Sequence, residues 1–242
     1  MTLSEFTIAC QSAFSRNGLE CNNLQAQTLY KLTERMLSVN QTMNLTAITE
    51  ENSIILRHYV DSLMISTSIP QNKSVIDVGC GAGFPSLPLA IFRPDLRIVA
   101  LDGTAKRIRY VEETAALLGL SNITAIAGRA EEYGAKQEFR EQFDIATARA
   151  VANLRTLAEL CLPFVKIGGS MISMKSQQAA EELAEAGNCI STCGGKAAAP
   201  ISCNLIDCLG NTEERKLIII EKKKATPKIY PRHFSKISKK PL

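Results

Sequence analysis

The sequence predicts an α/β protein: a doubly wound, mostly parallel seven-stranded sheet with helices on both faces, preceded by an N-terminal helical extension. Three observations predict it. From Ser74 onward, short apolar runs alternate with helical stretches, the pattern of parallel strands joined by crossover helices. A glycine-rich turn, Gly79 to Gly83, follows the first of these runs and opens a helix. Before Ser74 only helical periodicity is seen. The 242 residues, 45% hydrophobic and 21% charged, suffice for one such core and exclude chain-wide disorder. No run approaches the ~20 apolar residues of a membrane span. The start, Met1 to Phe6, lacks the basic patch and apolar stretch of a secretory signal. A soluble, cytoplasmic monomer without membrane contact is expected.

Three amphipathic helices make up the extension, expected over residues 1–68. Leu3, Phe6, Cys10, Ala13 and Phe14 share one face, and Asn17-Gly18 stops that helix. Leu29, Leu32, Met36, Val39 and Met43 form a second stripe, and Leu56, Tyr59, Val60 and Leu63 a third. The α/β domain is expected over 69–224. Its strands are read at 75–78, 97–101, 123–126, 143–147 and 170–174. Leu205-Ile206 and 217–220 form a final pair that adds an antiparallel hairpin at the edge. Helices are read near 85–92, 104–118, 153–161 and 177–186.

Charge is unevenly spread. Residues 1–221 carry 20 Lys/Arg against 24 Asp/Glu, whereas Lys222–Leu242 carry eight Lys/Arg and no acid. A basic segment, 225–242 by our boundary, on a mildly acidic body suits a polyanion such as nucleic acid, or simply a solvated tail. The eight cysteines read as reduced thiols. Cys189, Cys193, Cys203 and Cys208 are spaced too loosely for a zinc ribbon and read as small core residues, so no metal is expected.

The most informative stretch is Asp77-Val78-Gly79-Cys80-Gly81-Ala82-Gly83-Phe84-Pro85. It sits at the carboxyl end of the first strand, where open α/β sheets bind ligands. Glycines there let a ligand approach the backbone without a Cβ clash. The pattern is GxGxG with Asp77 two residues ahead, not the GxGxxG that seats a pyrophosphate. An acid in that place suits an amine-bearing ligand, and S-adenosylmethionine has an amino-acid end and no phosphate. Asp102, at the end of the next strand, can accept the ribose hydroxyls of an adenosine. After the third strand, Gly128-Arg129-Ala130-Glu131 could meet an adenine. Arg149 after the fourth could hold a phosphate or base edge, or pair with Asp144.

The sequence resembles the RsmG (GidB) family of bacterial small-subunit ribosomal RNA methyltransferases. The pieces that carry the resemblance are Asn44-Leu45-Thr46, Arg57-His58-Tyr59-Val60-Asp61-Ser62-Leu63, Asp77 through Pro85, Leu101-Asp102, Lys106-Arg107, Gly128-Arg129-Ala130-Glu131, Arg149-Ala150-Val151-Ala152 and Tyr230-Pro231-Arg232. They run in family order over nearly the whole chain. The resemblance implies a Rossmann-like methyltransferase domain and transfer of a methyl group from S-adenosyl-L-methionine to nitrogen 7 of one guanosine, position 527, of 16S rRNA in the small subunit. It implies donor contacts at Gly79, Phe84, Ala130, Glu131 and Arg149, beside Asp77, Gly81, Gly83 and Asp102. Arg57, His58, Lys106, Arg107, Lys175, Tyr230 and Arg232 are the expected RNA contacts. Ser86, Gly103 and Ser176 depart from the family pattern.

Nitrogen 7 of guanine carries an unprotonated lone pair, so no catalytic acid or base is expected, only positioning groups such as Arg149 and Lys175. No Asp/Asn-Pro-Pro-aromatic run follows the fourth strand, which disfavours transfer to an exocyclic amine. Two alternatives stay open: ribose 2′-O-methylation, with Lys175 but with Arg149 where an Asp belongs, and a binding module without turnover.

Overall fold

The computed structural model describes residues 1–149, 152–175 and 178–242. Ser176, one of the three departures, and Ala150 and Val151 of the Arg149 motif lie outside them. The chain opens with helices α1 (Leu3–Arg16) and α2 (Asn23–Met43). Each starts at a capping box, Thr2 with Glu5 and Asn22 with Gln25, which satisfies backbone N–H groups that a helix start otherwise leaves bare. Phe6, Cys10 and Phe14 are buried as expected, but Leu3 precedes the packed turn and is 42% exposed. The third helical segment runs as α3 (Glu51–Ile54), a π-helical turn over Ile55–Val60 and α4 (Asp61–Leu63).

Strands and helices then alternate: β1 (Ser74–Val78), α5 (Ser86–Phe92), β2 (Arg97–Asp102), α6 (Ala105–Leu117), β3 (Ile123–Ala127), α7 (Ala130–Tyr133), β4 (Phe143–Arg149), α8 (Leu154–Cys161), β5 (Val165–Lys175) and α9 (Ala179–Thr192). The remainder is β6 (Gly195–Ala197), β7 (Ile201–Ser202), β8 (Leu205–Ile206), β9 (Thr212–Glu213), β10 (Lys216–Lys222) and α10 (Phe234–Lys239). The main sheet has the order β3-β2-β1-β4-β5-β10-β6, with β7 also paired to β10. Strands β1 to β5 are parallel, and β10 joins β5 antiparallel. One apolar cluster joins the N-terminal helices, α5 and α6 on one sheet face; α8 and α9 cover the other.

Three expectations are corrected. Leu205-Ile206 does not pair with β10; it forms a separate two-stranded ribbon with Thr212-Glu213. The partner at that edge is Gly195–Ala197, which carries no alternation to betray it. Strand β5 begins at Val165, bent by Gly168 at φ +84°, and at Gly169 a Cβ would stand 2.4 Å from the Asp144 carbonyl. Of the four cysteines read as core, Cys189 and Cys193 are buried, whereas Cys203 is half-buried and Cys208 exposed. Among the described residues no cluster of His, Cys, Asp or Glu is placed to hold a metal, and no helix is long and apolar enough to cross a membrane.

The basic C-terminal segment is folded onto the core. Lys222 is fully buried, its Nζ donating to the Leu162 and Val165 carbonyls and to Thr226 Oγ1, with Glu141 at 3.2 Å. Arg155 donates to the carbonyls of Pro241 and Leu242.

Candidate active site

The sheet order reverses beside β1, which lies between β2 and β4; a crevice forms there at the carboxyl ends of the strands. A cavity of about 390 Å³ occupies it, lined by Leu45, Thr46, His58, residues Gly79–Ala82, Phe84, Asp102, Arg107 and Arg149. Two clefts of about 690 and 700 Å³ lie along the β8–β9 ribbon. Size does not decide between them, because only the smaller cavity gathers a glycine turn and three strand ends.

The turn takes its shape from glycines at positive φ, +78° at Gly79, +57° at Gly81 and +87° at Gly83. The Gly79 N–H donates to the Leu101 carbonyl at 2.7 Å, tying the turn to β2. Asp102 ties it again: Oδ2 accepts from the Gly81 N–H at 3.0 Å and Oδ1 from the Thr104 N–H at 2.7 Å. Each carboxylate oxygen keeps a lone pair for a further donor. At Gly83, a Cβ would meet Leu87 at 2.5 Å, so this glycine serves packing instead of the ligand.

Asp77 is corrected. It does not line the cavity but is 1% exposed behind the turn, where Oδ2 accepts from the Ser86 N–H and hydroxyl and so holds the start of α5. Ser86, the departure from the family pattern, supplies that hydroxyl. The other oxygen, Oδ1, is buried without a partner.

Arg149 ends β4 and lies over the Phe84 ring, 5.3 Å from its centroid. Its Nη1 donates to Asp61 Oδ2 at 3.0 Å and to the Arg57 carbonyl at 2.7 Å. Asp61 Oδ1 in turn accepts from Arg215 Nε at 3.1 Å. Arg149 therefore pairs with Asp61, while Asp144, at the far end of β4, is held by Lys73, Lys166 and Ser74. His58 stacks on Phe84 at 4.5 Å and bonds Thr46 Oγ1 through Nε2 at 2.8 Å. It is 7% exposed and lines the cavity from within, not as an RNA contact on the surface. Thr46, Asp61 and Arg215 were not singled out as site residues; Thr46 and Asp61 lie in the family pieces, and nothing in the sequence marks Arg215.

The residues present fit an adenosine carrying an amino-acid tail. A Cβ at Gly81 would meet nothing within 4 Å and would fill cavity space, and Asp102 has acceptor capacity for hydroxyls.

Two buried groups titrate in opposite senses. Burial pushes the Asp77 carboxyl up to about 7 from its ordinary 3.8, against the Ser86 hydrogen bonds. Burial and the Arg149 charge push His58 down to about 4 from 6.5. Asp77 thus contributes stability that is fully present below pH 3.8 and lost as pH rises through 7; His58 contributes stability present above 6.5 and lost as pH falls through 4. Relative to the parent chain, Asp77→Asn is expected to gain about 2–3 kcal/mol between pH 5 and pH 8. His58→Gln is expected to gain as pH falls below about 6. Urea unfolding at three pH values checks both, and a pH-independent difference for Asp77→Asn refutes the assignment.

Other expected contacts sit elsewhere. Ala130 and Glu131 open α7 after β3, outside the cavity lining. Lys175 ends β5, but its Nζ is held by Glu182 at 2.8 Å and the Ala152 carbonyl at 2.7 Å, away from the cavity. Lys106 and Arg107 are exposed in the first turn of α6, and Arg107 lines the cavity. Arg57 is exposed and pairs with Glu213 at 3.4 Å. Arg232 is corrected as an RNA contact: it clamps Glu159, which is fully buried. Tyr230 packs half-buried beside it.

The fold and this crevice define the Rossmann-like class of S-adenosylmethionine-dependent methyltransferases. A structure from Methanosarcina mazei described as a SAM-dependent methyltransferase shares the fold, with TM-score 0.51 and 17% identity, covering 66% of this chain and 97% of that one. The family model GidB, rRNA small subunit methyltransferase G, matches residues 25–206. Proteins named ribosomal RNA small subunit methyltransferase G from Limosilactobacillus reuteri and Clostridium perfringens are 43% and 40% identical. The alignments cover 96% and 97% of this chain, and 97% and 96% of theirs. The chain belongs to the GidB family.

Proposed function

We propose that this protein transfers a methyl group from S-adenosyl-L-methionine to nitrogen 7 of a single guanosine of 16S rRNA, the family position 527, acting as a cytoplasmic monomer on the small ribosomal subunit. The observation that carries the reading is the cavity itself: a glycine turn tied to Asp102, closed opposite by Phe84, His58 and Arg149, in a chain that aligns with its relatives from end to end.

Gly79, Gly81, Phe84 and Asp102 are the residues to hold the donor, with Asp102 on its ribose. The bound donor supplies an electrophilic methyl group on a sulfonium. Guanine nitrogen 7 presents its lone pair without losing a proton, so the chain needs to orient and desolvate, not to abstract. Arg149, fixed by Asp61 and the Phe84 face, provides a stationary cation at the cavity wall. His58, neutral above about pH 4, provides a flat uncharged surface there. Against ribose methylation, Lys175 is engaged by Glu182 and Arg149 by Asp61, and among the described residues no lysine–carboxylate set lines the cavity.

The test is methyl transfer from labelled donor to unmodified small subunits, with the product nucleoside identified and mapped. One 7-methylguanosine supports the reading; label on ribose or on another base overturns it. Asp102→Ala is expected to weaken donor binding at least 30-fold, about 2 kcal/mol, through lost hydroxyl contacts and a loosened turn. Calorimetric titration measures it, and an unchanged Kd counts against the assignment of Asp102.

A further inference from the structure

Eight cations crowd the last 21 residues, but two of them are turned inward, Lys222 onto buried carbonyls and Arg232 onto Glu159. A different set of cations lies around Asp102, and one of them, Arg107, lines the cavity. Lys106 and Arg107 occupy the first turn of α6, a helix that has no acidic residue there and no side-chain cap. Positive charge at a helix N-terminus opposes the helix dipole, so this placement costs the isolated fold stability. Arg129 joins them from the end of β3. Its side chain lies across Gly103, with Cδ 3.1 Å and Nε and Nη1 3.3 Å from where a Gly103 Cβ would stand. The missing side chain at Gly103 lets this guanidinium cross from β3 to the rim of the β2 turn, next to Asp102.

All three are exposed, and among the described residues none forms an ion pair. This occurs in a body, residues 1–221, where acids outnumber cations 24 to 20. Arg149 on the opposite wall is, by contrast, held in an ion pair with Asp61. The methyl donor carries no phosphate, so these charges are not needed to hold it. We infer that Lys106, Arg107 and Arg129 form a phosphate-binding rim that grips the RNA backbone flanking the target nucleotide, with the strand crossing above the Asp102 side of the cavity. The inference rests on the proposed function and adds where the RNA lies.

The experiment uses the full-length chain and unmodified small ribosomal subunits, with binding measured between about 50 and 200 mM salt. The double variant Lys106→Gln/Arg129→Gln leaves out Arg107, which also lines the cavity. A second double variant, Lys224→Gln/Lys228→Gln, removes equal charge from exposed tail positions. Each lost phosphate contact lowers the slope of log K against log salt by about 0.7–0.9. The rim variant is expected to flatten the slope by about 1.5 and to raise the Kd for subunits about tenfold at 0.1 M salt, with donor affinity within twofold of the parent. The tail variant is expected to change the slope by less than half as much. A parental slope in the rim variant, or flattening no greater than that of the tail variant, overturns the inference. Methyl transfer by the parent chain is measured alongside. Its absence would refute the proposed function, whereas transfer with an unaltered rim slope refutes only the rim.

Discussion

Arg232→Ala is expected to lower the stability of this chain by about 3–5 kcal/mol, and removal of Lys222–Leu242 to abolish folding and donor binding together. Glu159 is fully buried in α8 and accepts from Arg232 three times, from the backbone N–H at 2.9 Å, Nε at 2.8 Å and Nη2 at 2.6 Å. Deleting the arginine leaves a carboxylate in the interior without a counter-charge, against a typical total stability of about 5–15 kcal/mol. Truncation also removes Lys222, and it strips Arg140 of the Thr226, Pro227 and Tyr230 carbonyls that it binds. Calorimetry should show Tm falling by roughly 10 °C for Arg232→Ala, at about 2–4 °C per kcal/mol in a chain of this size. The double variant Glu159→Leu/Arg232→Leu should recover part of the loss, since a buried pair replaced by apolar groups costs less than a pair broken. A truncated chain with the parent Tm and donor affinity would show that the segment is a dispensable arm.

Counting charge finds eight cations in the last 21 residues but not that Lys222 meets Glu141 or that Arg232 meets Glu159, partners 73 or more positions away. The first four strands and helices α5 and α6 are legible because each is a short apolar run or carries an apolar stripe, whereas the four-residue α7 between β3 and β4 is too short to show a period. The edge strands are not legible, since Gly195-Lys196-Ala197 has no pattern of its own and is a strand only because β10 lies beside it. The site divides in the same way. The glycine turn and Asp102 are local signals at strand ends, and the structure brings them together through one hydrogen bond to the Gly81 N–H. Asp77 was legible as important but not in its role, because burial behind the turn directs it to Ser86. The Asp61 node carries no local signal, because the tertiary fold alone gives Asp61 its partners Arg149 and Arg215, 88 and 154 residues distant.

Asp61 is where the largest loss of activity is expected. Asp61 is 7% exposed, and its carboxylate joins Arg149, on the cavity wall, to Arg215, which lies between the β8–β9 ribbon and β10. Without Asp61 the Arg149 guanidinium retains the Arg57 carbonyl and the Phe84 face, and loses the charge that fixes its plane. Two arginines would then face one another across a buried site. Asp61→Ala is expected to cost about 3 kcal/mol of stability and to reduce kcat/KM for methyl transfer about 100-fold, equivalent to about 2.7 kcal/mol in the transition state. Asp61→Asn separates the two effects, because it keeps the shape and one acceptor while removing the charge. If Asp61 acts by orienting Arg149, Asp61→Asn lowers kcat well below the parent at a temperature where circular dichroism shows it fully folded. Arg215→Gln, which leaves the Asp61–Arg149 pair intact, then keeps kcat within about threefold. Parental kcat in folded Asp61→Asn would make the node purely structural, and equal losses in Asp61→Asn and Arg215→Gln would place the requirement in the ribbon and not at Arg149.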